Sequence, residues 1–256
     1  MLKTGRCPEF LKPESRTQAV ENLKKNNIDG LVCIGGDGSF RGANALWKEH
    51  QFPVVGVPGT IDNDIYGTDH TIGFDTAVNT ALNAIDKIRD TADSHDRLFI
   101  IEVMGRNSGF IASSVGIAGG AEEIFTPDGN TTVDKAVEHI RETQKNGKRS
   151  SIIITSEGQK PGRAYDLADS IRKKSGLEAK VCILGHQQRG GPPTAIDRIF
   201  ASRMAVSAVE ALLSGTCDVM IGLEGKNLVQ VPFDVALNNE KKNPTDLITL
   251  SNMLAR

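Results

Sequence analysis

LVCIGGDGSF, Leu31 to Phe40, decides the fold. Its first four residues, Leu31–Ile34, are continuously apolar, as in a strand covered on both faces. Glycines follow, which permit a tight turn, and Phe40–His50 reads as a helix beyond it. A second apolar run, Val54–Val57, comes directly after that helix and ends at Pro58. Strand, glycine turn, helix, strand is the repeating unit of a parallel sheet with helical crossovers.

The same alternation continues along the chain. Further strands are expected at Leu98–Val103, Ser151–Thr155, Lys180–Leu184 and Val219–Leu223. Amphipathic helices are expected between them. Over Asp75–Arg89, Val78, Ala81, Leu82, Ile85 and Ile88 form one apolar stripe. Over Thr194–Leu213, Ile196, Ile199, Phe200, Ala205, Val209 and Leu212 are read as the core-facing set. The fold class is therefore α/β, with mostly parallel sheets. Every apolar run but the last is followed by glycines and polar groups: GGDGSFRG, PGTIDND, MGRNSG, SEG and GHQQRGG. Ligands of open α/β sheets bind beyond the carboxyl ends of strands, so these loops are the candidate site.

Composition excludes several classes. A net charge of -2 over 256 residues gives no strong field for nucleic acid or an anionic membrane. No apolar stretch approaches the roughly 18 residues of a membrane span, and MLKTGRCPEF lacks the apolar core of a signal peptide. Cys7, Cys33, Cys182 and Cys217 have no metal-type spacing. Cys33 and Cys182 lie in apolar runs and read as buried thiols, so a disulfide-free cytoplasmic protein is expected.

The loops suggest specific chemistry. Backbone N–H groups of the glycine loop Gly35-Gly36-Asp37-Gly38-Ser39 could approach a phosphate, and the following helix N-terminus favours an anion. Asp37 suits Mg²⁺ carried by nucleotide phosphates; alternatively Asp37 or Ser39 is a helix cap. Thr60, Asp62 and Asp64 alternate, which in an extended chain aims them at one space, with Ile61 and Ile65 facing away. They read either as a general base beside a second carboxylate or as an Asx-rich turn. Arg97, Arg106 and Arg189 flank strand ends and have the forked geometry that grips phosphate. His186 is a phosphate contact or an incidental loop polar group. Glu157 accepts from a sugar hydroxyl or faces solvent. Together, a phosphate loop, a carboxylate base and several arginines suggest phosphoryl transfer to a hydroxyl of a phosphorylated substrate.

GGDGS, PGTIDND, GFDTA, EVMGRNSGFIA and LGHQQRGGPPTAIDRIFASR occur here in the order found in the 6-phosphofructokinase family, which the chain resembles over nearly all its length. The resemblance implies ATP and fructose 6-phosphate as substrates, with Mg²⁺. It implies Asp62 as the base for the 1-hydroxyl, with Thr60 and Asp64 in the same pocket. It implies Asp37 as the Mg²⁺ ligand and Gly36, Gly38 and Ser39 as the ATP cradle, with Arg6 and Cys7 also at nucleotide-contact positions. Many members carry an aromatic residue where Cys7 stands. Met104, Gly105 and Arg106 match the sugar-phosphate loop, Arg106 stabilising the transferred phosphoryl group. Glu157 would hold the sugar, and His186 and Arg189 the 6-phosphate. Arg97 and Lys180 match positions that reach a neighbouring subunit's site, which implies an oligomer, usually a tetramer. Arg89, Gly120, Glu122 and Lys148 match parts of an effector site for ADP or phosphoenolpyruvate.

Pyrophosphate-using relatives commonly have Asp at the position of Gly38 and Lys at that of Gly59, so glycine at both favours ATP. Lys180 stands where the family commonly has Arg; it keeps the charge and loses the planar fork. The family's opening strand and second glycine loop, usually GGDxPGxN, have no counterpart, so the resemblance implies an N-terminally truncated chain lacking part of the ATP cradle. A pyrophosphate-dependent enzyme, or a non-catalytic remnant that binds sugar phosphate or an intact subunit, are the alternatives. The implied architecture is two three-layer α/β/α domains: residues 1–73 plus 188–238 for nucleotide, and 74–187 plus 239–256 for sugar phosphate and effector.

Overall fold

The computed structural model describes residues 5, 7–93, 97–129, 131–147 and 150–254. In chain order the elements begin with a 3-10 turn at Pro8–Leu11, α1 (Pro13–Lys25), β1 (Leu31–Gly35), α2 (Asp37–His50), β2 (Val54–Pro58) and α3 (Phe74–Asp93). Next come β3 (Leu98–Val103), α4 (Phe110–Ala118), β4 (Glu123–Phe125), α5 (Val133–Lys145), β5 (Ser151–Ser156) and α6 (Arg163–Ser175). The chain continues with β6 (Ala179–Ile183), a 3-10 turn at Gly185–Arg189, α7 (Ala195–Leu213), β7 (Val219–Glu224), β8 (Asn227–Pro232), α8 (Phe233–Asn238) and α9 (Thr245–Leu254). All six expected strands form, with ends shifted by no more than a residue or so at most positions.

The chain divides into two compact units. The first comprises 1–60, 65–72 and 198–241; the second comprises 61–64, 73–197 and 242–256. This division differs from the expected one at residues 61–64, 73, 239–241 and, most extensively, 188–197. The cause is local: the Asp197 carboxylate accepts from the Gly73 and Thr76 amides, and the Gln188 side chain donates to Ala77 O, so this stretch is fastened to α3.

The first unit has a sheet of order β1-β2-β7-β8, parallel except for β8. On one face α1, α2 and α8 bury Val20, Phe40, Ala43, Leu46, Phe233 and Ala236. On the other, α7 buries Met204, Ala208 and Ala211 against Val55, Val57, Ile221 and Leu223. The second unit has a fully parallel sheet of order β4-β5-β3-β6. Successive strand residues point to opposite faces, so Ile101 and Ile154 pack under α3 and α4 while Ile100 and Ile153 pack under α5 and α6. Both units are therefore three-layered.

Three expectations about packing are corrected. First, α7 is apolar on most of its circumference, so spacing alone does not choose its buried face. The buried apolar residues are Met204, Ala208 and Ala211, with Phe200 and Leu212 partly covered, whereas Ile196, Ile199 and Val209 are about half exposed and Ala205 is exposed. Second, Cys33 and Cys182 are only partly buried, although burial still pushes both thiols up from the usual range. Third, β4 and β8 were not expected. Strand β4 is three residues long, too short for a pattern, and β8 follows β7 through a tight Gly225-Lys226 hairpin, with Gly225 at φ 59°.

The segment 65–72 returns from the candidate base loop and lies against β7. Asp69 N donates to Leu223 O (2.7 Å), Leu223 N donates to Thr68 Oγ1 (3.0 Å), and Gly225 N donates to Asp69 Oδ2 (2.6 Å). This approach requires glycine at Gly222, where a Cβ would lie 2.2 Å from Gly67 O. A backbone oxygen cannot rotate aside, so Gly222→Ala is expected to destabilise the protein by about 2 kcal/mol. Urea unfolding checks this: the midpoint should fall at unchanged slope, and a midpoint equal to wild type would contradict the tight approach.

Candidate active site

In the first unit, the site residues gather where β1 enters α2. The helix starts at Asp37, three residues before the expected Phe40, and its N-cap is Gly36 with extended backbone and no capping side chain. The alternative of Asp37 or Ser39 as a cap is therefore not realised. Asp37 instead pairs across one helical turn with Arg41 (Oδ2 to Nε, 2.9 Å), and its side chain is 55% exposed. Ser39 folds back over the preceding turn, so that a Cβ on Gly35 would lie 2.3 Å from Ser39 Oγ. The strand ends are tied by Gly59 N donating to Gly35 O (2.9 Å). Thr60 sits on this loop: a Cβ on Gly36 would be 3.5 Å from Thr60 Cβ, and the Thr60 carbonyl accepts from Thr71 Oγ1 (2.6 Å). Gly36 is half-buried while Asp37, Gly38 and Ser39 are exposed.

Cys7 is exposed and caps the first 3-10 turn, with its thiol 3.5 Å from Glu9 Oε2. That turn is pinned to α2: Phe10 packs within 3.2 Å of a Cβ built on Gly42, and Arg16 donates to Phe10 O and to both oxygens of Glu49. Arg6 lies outside the described residues.

In the second unit, Asp62, Asp64, Arg106, Glu157 and Arg189 form one electrostatic group. Burial pushes the Asp62 carboxyl above the usual carboxylate range; the Asp64 charge pushes the same way, Arg106 and Arg189 pull it down, and Glu157 pushes it up. The alternation argument for Thr60, Asp62 and Asp64 fails in detail. No strand runs through 60–65, and buried Asn63 adopts φ 51°, so the chain turns between the two aspartates. Asp64 is exposed and Asp62 partly buried, and they meet through this turn rather than by pleat. Ile61 does face a core, packing against the α3–α4 cluster.

Arg106 follows β3 in a constrained turn. Gly105 has φ 132° and Arg106 φ 50°, a left-handed conformation uncommon outside glycine. A Cβ on Gly105 would lie 2.8 Å from Ser108 O. Ser108 is buried, and its hydroxyl donates to Asp62 O (2.7 Å), which fixes the base loop against the start of α4. Glu157, just past β5, is 8% exposed, and its amide donates to Val103 O (2.8 Å); it does not simply face solvent. Beside it is a cavity of about 610 Å³ lined in part by Asn107, Lys160 and Arg163. His186 and Arg189 are exposed on the 3-10 turn after β6. Met104 donates its amide to Gln188 Oε1 (2.8 Å). Ser108 and Gln188 are contributors that the sequence reading missed. Both sit inside quoted motifs, but nothing in the spacing separates Gln188 from exposed Gln187.

Two further groups lie elsewhere in this unit. Arg97 immediately precedes β3, and Lys180 pairs with Phe99 in β6, so both are at the amino ends of the parallel strands. Met104 is at the other end of β3, about 20 Å away at ordinary strand rise. Of the expected effector residues, Arg89 donates to the Gly119 and Gly120 carbonyls, where its charge complements the α4 C-terminus. Glu122 is fully buried and accepts from Ile152 N. Lys148 is outside the described residues.

Among the described residues no group of three His, Cys, Asp or Glu is placed to cage a metal, and no helix is long and apolar enough to cross a membrane. Asp37 alone, exposed beside a glycine turn, fits a Mg²⁺ that arrives bound to phosphates, since such ions take few protein ligands.

A family profile described as phosphofructokinase matches residues 1–212. The chain is 53% identical over 255 residues to an ATP-dependent 6-phosphofructokinase of Thermus thermophilus, covering 79% of that protein. It is 49% identical over 255 residues to the ATP-dependent 6-phosphofructokinase of Halalkalibacterium halodurans, again covering 79%. Among solved structures, Saccharomyces cerevisiae phosphofructokinase matches 92% of this chain at TM-score 0.82 and 32% identity, and the match spans 35% of the yeast chain. A pyrophosphate-dependent phosphofructokinase of Marinobacter aquaeolei matches 97% at TM-score 0.82 and 25% identity, spanning 69% of that chain.

Proposed function

This chain belongs to the phosphofructokinase family, and from that premise we propose that it transfers the γ-phosphoryl group of ATP to the 1-hydroxyl of fructose 6-phosphate. The observation that carries the proposal is the Asp62 group: a carboxylate with raised proton affinity, influenced by Arg106 and Arg189. A carboxylate so tuned is suited to take a proton from an alcohol.

The residue roles follow from chemistry. Asp62 accepts the proton of the 1-hydroxyl as its oxygen bonds to the γ-phosphorus and the bond to the bridging oxygen of ADP breaks. Arg106, presented in a constrained turn, stabilises the negative charge on the transferred group. His186 and Arg189, exposed on a short turn, grip the 6-phosphate; Glu157 accepts from a sugar hydroxyl, and Asp64 and Thr60 line the acceptor pocket. Gly36, Gly38 and Ser39 hold the ATP phosphates at the start of α2. Mg²⁺ carried by ATP, with Asp37 as its protein carboxylate, would neutralise phosphate charge. Arg97 and Lys180 sit at the far end of their strands from Met104, which supports a role towards a neighbouring copy and hence a homo-oligomer. Arg89, Gly120 and Glu122 belong to the proposed effector region. A cytoplasmic location suits these substrates.

The test is fructose 1,6-bisphosphate formation by the 256-residue chain, given fructose 6-phosphate, Mg²⁺ and either ATP or pyrophosphate. ATP-dependent turnover is expected. Turnover with pyrophosphate alone would assign the other donor, and sugar-phosphate binding without turnover would sink the kinase reading.

A further inference from the structure

The 3-10 turn Gly185–Arg189 presents His186 and Arg189 outward, and the Gln188 side chain anchors it from within. Gln188 is 1% exposed, whereas its neighbours Gln187 and Arg189 are exposed. Its Oε1 accepts from Met104 N (2.8 Å), and its Nε2 donates to Ala77 O in α3 (3.2 Å). One amide therefore joins three segments that are far apart in sequence. Met104 is the last residue before the constrained Gly105-Arg106 turn, whose positive φ values leave that backbone little room to relax.

The rest of the loop is fastened at both ends. Leu184 N donates to Glu102 O (3.0 Å) before the turn. After it, Thr194 N donates to Thr76 Oγ1 (3.2 Å), and Asp197 accepts from Gly73 N, Thr76 N and the Thr76 hydroxyl. Between those fixings, Gln188 ties down the turn itself, next to Arg189 and two residues from His186. A side-chain amide offers a donor and an acceptor together; a thioether of the same length offers neither in useful strength.

We propose that Gln188 is a positioning residue: it holds the turn bearing His186 and Arg189 in fixed register with the strand end bearing Arg106, and so sets the affinity for the sugar phosphate. This rests on the acceptor-site reading above. It differs from a purely space-filling role, in which Gln188 would contribute stability and leave substrate affinity alone.

The variants are Gln188→Met, which keeps length and removes both hydrogen bonds, and Gln188→Asn, which keeps a neutral amide but draws it back by one methylene. Gln187→Ala serves as the exposed neighbour control. For Gln188→Met the KM for fructose 6-phosphate should rise about 30-fold, with the KM for ATP unchanged, and calorimetric binding of fructose 6-phosphate should weaken in parallel. Gln188→Asn should also raise the KM for fructose 6-phosphate, since the shortened amide cannot reach both partners, and it carries the test if the methionine variant does not fold. Gln187→Ala should match wild type. A folded variant at position 188 with wild-type fructose 6-phosphate affinity, or one with both KM values raised equally, overturns the inference. A wild-type chain that neither turns over nor binds fructose 6-phosphate overturns the functional reading, and the inference with it.

Discussion

Asp62→Asn is expected to lower fructose 1,6-bisphosphate formation by about 10³-fold, the usual scale for loss of a positioned general base, with little change in either KM. Asparagine keeps the shape and removes the proton acceptor, so the loss should fall on kcat. The same substitution should raise the melting temperature. An acid whose folded-state proton affinity is raised binds more protons folded than unfolded, so its contribution to stability falls as pH rises from the unfolded pKa through the folded one. Above that window the ionised Asp62 costs stability, which asparagine avoids. Lost turnover with a higher melting temperature separates chemistry from misfolding.

The pH profile gives a second reading of the same group. Asp62 must be ionised to act, so the acid limb of kcat/KM should follow its raised pKa. Burial is the largest cause of that shift and the Asp64 charge the next. Asp64→Asn removes a like charge, and the acid limb should move to lower pH. A limb that stays in place, or an Asp62→Asn variant that keeps most of its turnover, would place the base elsewhere.

How much of this was legible in the sequence depends on the range of the interactions involved. Strands β1, β2, β3, β5, β6 and β7 were readable because helices cover both faces of each sheet, which leaves continuous apolar runs. The loops after them were readable for the same reason, since the ends of the runs mark them. Local pattern failed where a single backbone torsion or a distant partner decides. The turn at Asn63 (φ 51°) breaks the alternation assumed for Asp62 and Asp64, and asparagine tolerates that torsion without announcing it. The buried face of α7 was misassigned because apolar residues surround it. Gln188 and Ser108 were missed because their partners are backbone groups 84 and 46 residues away. The placement of Arg97 and Lys180 at the amino ends of β3 and β6 was legible too, since the apolar runs Leu98–Val103 and Lys180–Leu184 begin beside them.

Gly38→Asp tests the nucleotide half of the proposal, and its expected effect is as large. Gly38 is the second residue of α2, it is not among the positive-φ glycines, and a Cβ built there meets nothing within 4 Å. Neither backbone strain nor packing in the protein therefore requires glycine, and within a helix glycine is unfavourable by about 1 kcal/mol. An aspartate in the first helical turn should instead be stabilising by roughly 0.5 kcal/mol through the helix dipole. A residue that stability would disfavour, in open space beside the helix amides, fits a requirement for room around a bound anion. A carboxylate placed about 4 Å from an ATP phosphate costs on the order of 4 kcal/mol at an effective dielectric of 20, which is about 10³-fold. The expected result is a melting temperature equal to wild type or higher, with kcat/KM for ATP reduced about 10³-fold and fructose 6-phosphate binding unchanged. Gly38→Ala separates volume from charge: it should share the stability gain and lose much less activity. Gly59→Lys is the harder partner substitution, because a Cβ there would lie 3.0 Å from Ile34 Cγ2, so the aspartate alone should remove ATP use without conferring pyrophosphate use. If ATP turnover survives Gly38→Asp intact, the start of α2 does not hold the donor phosphates, and the nucleotide site must be sought elsewhere in the chain.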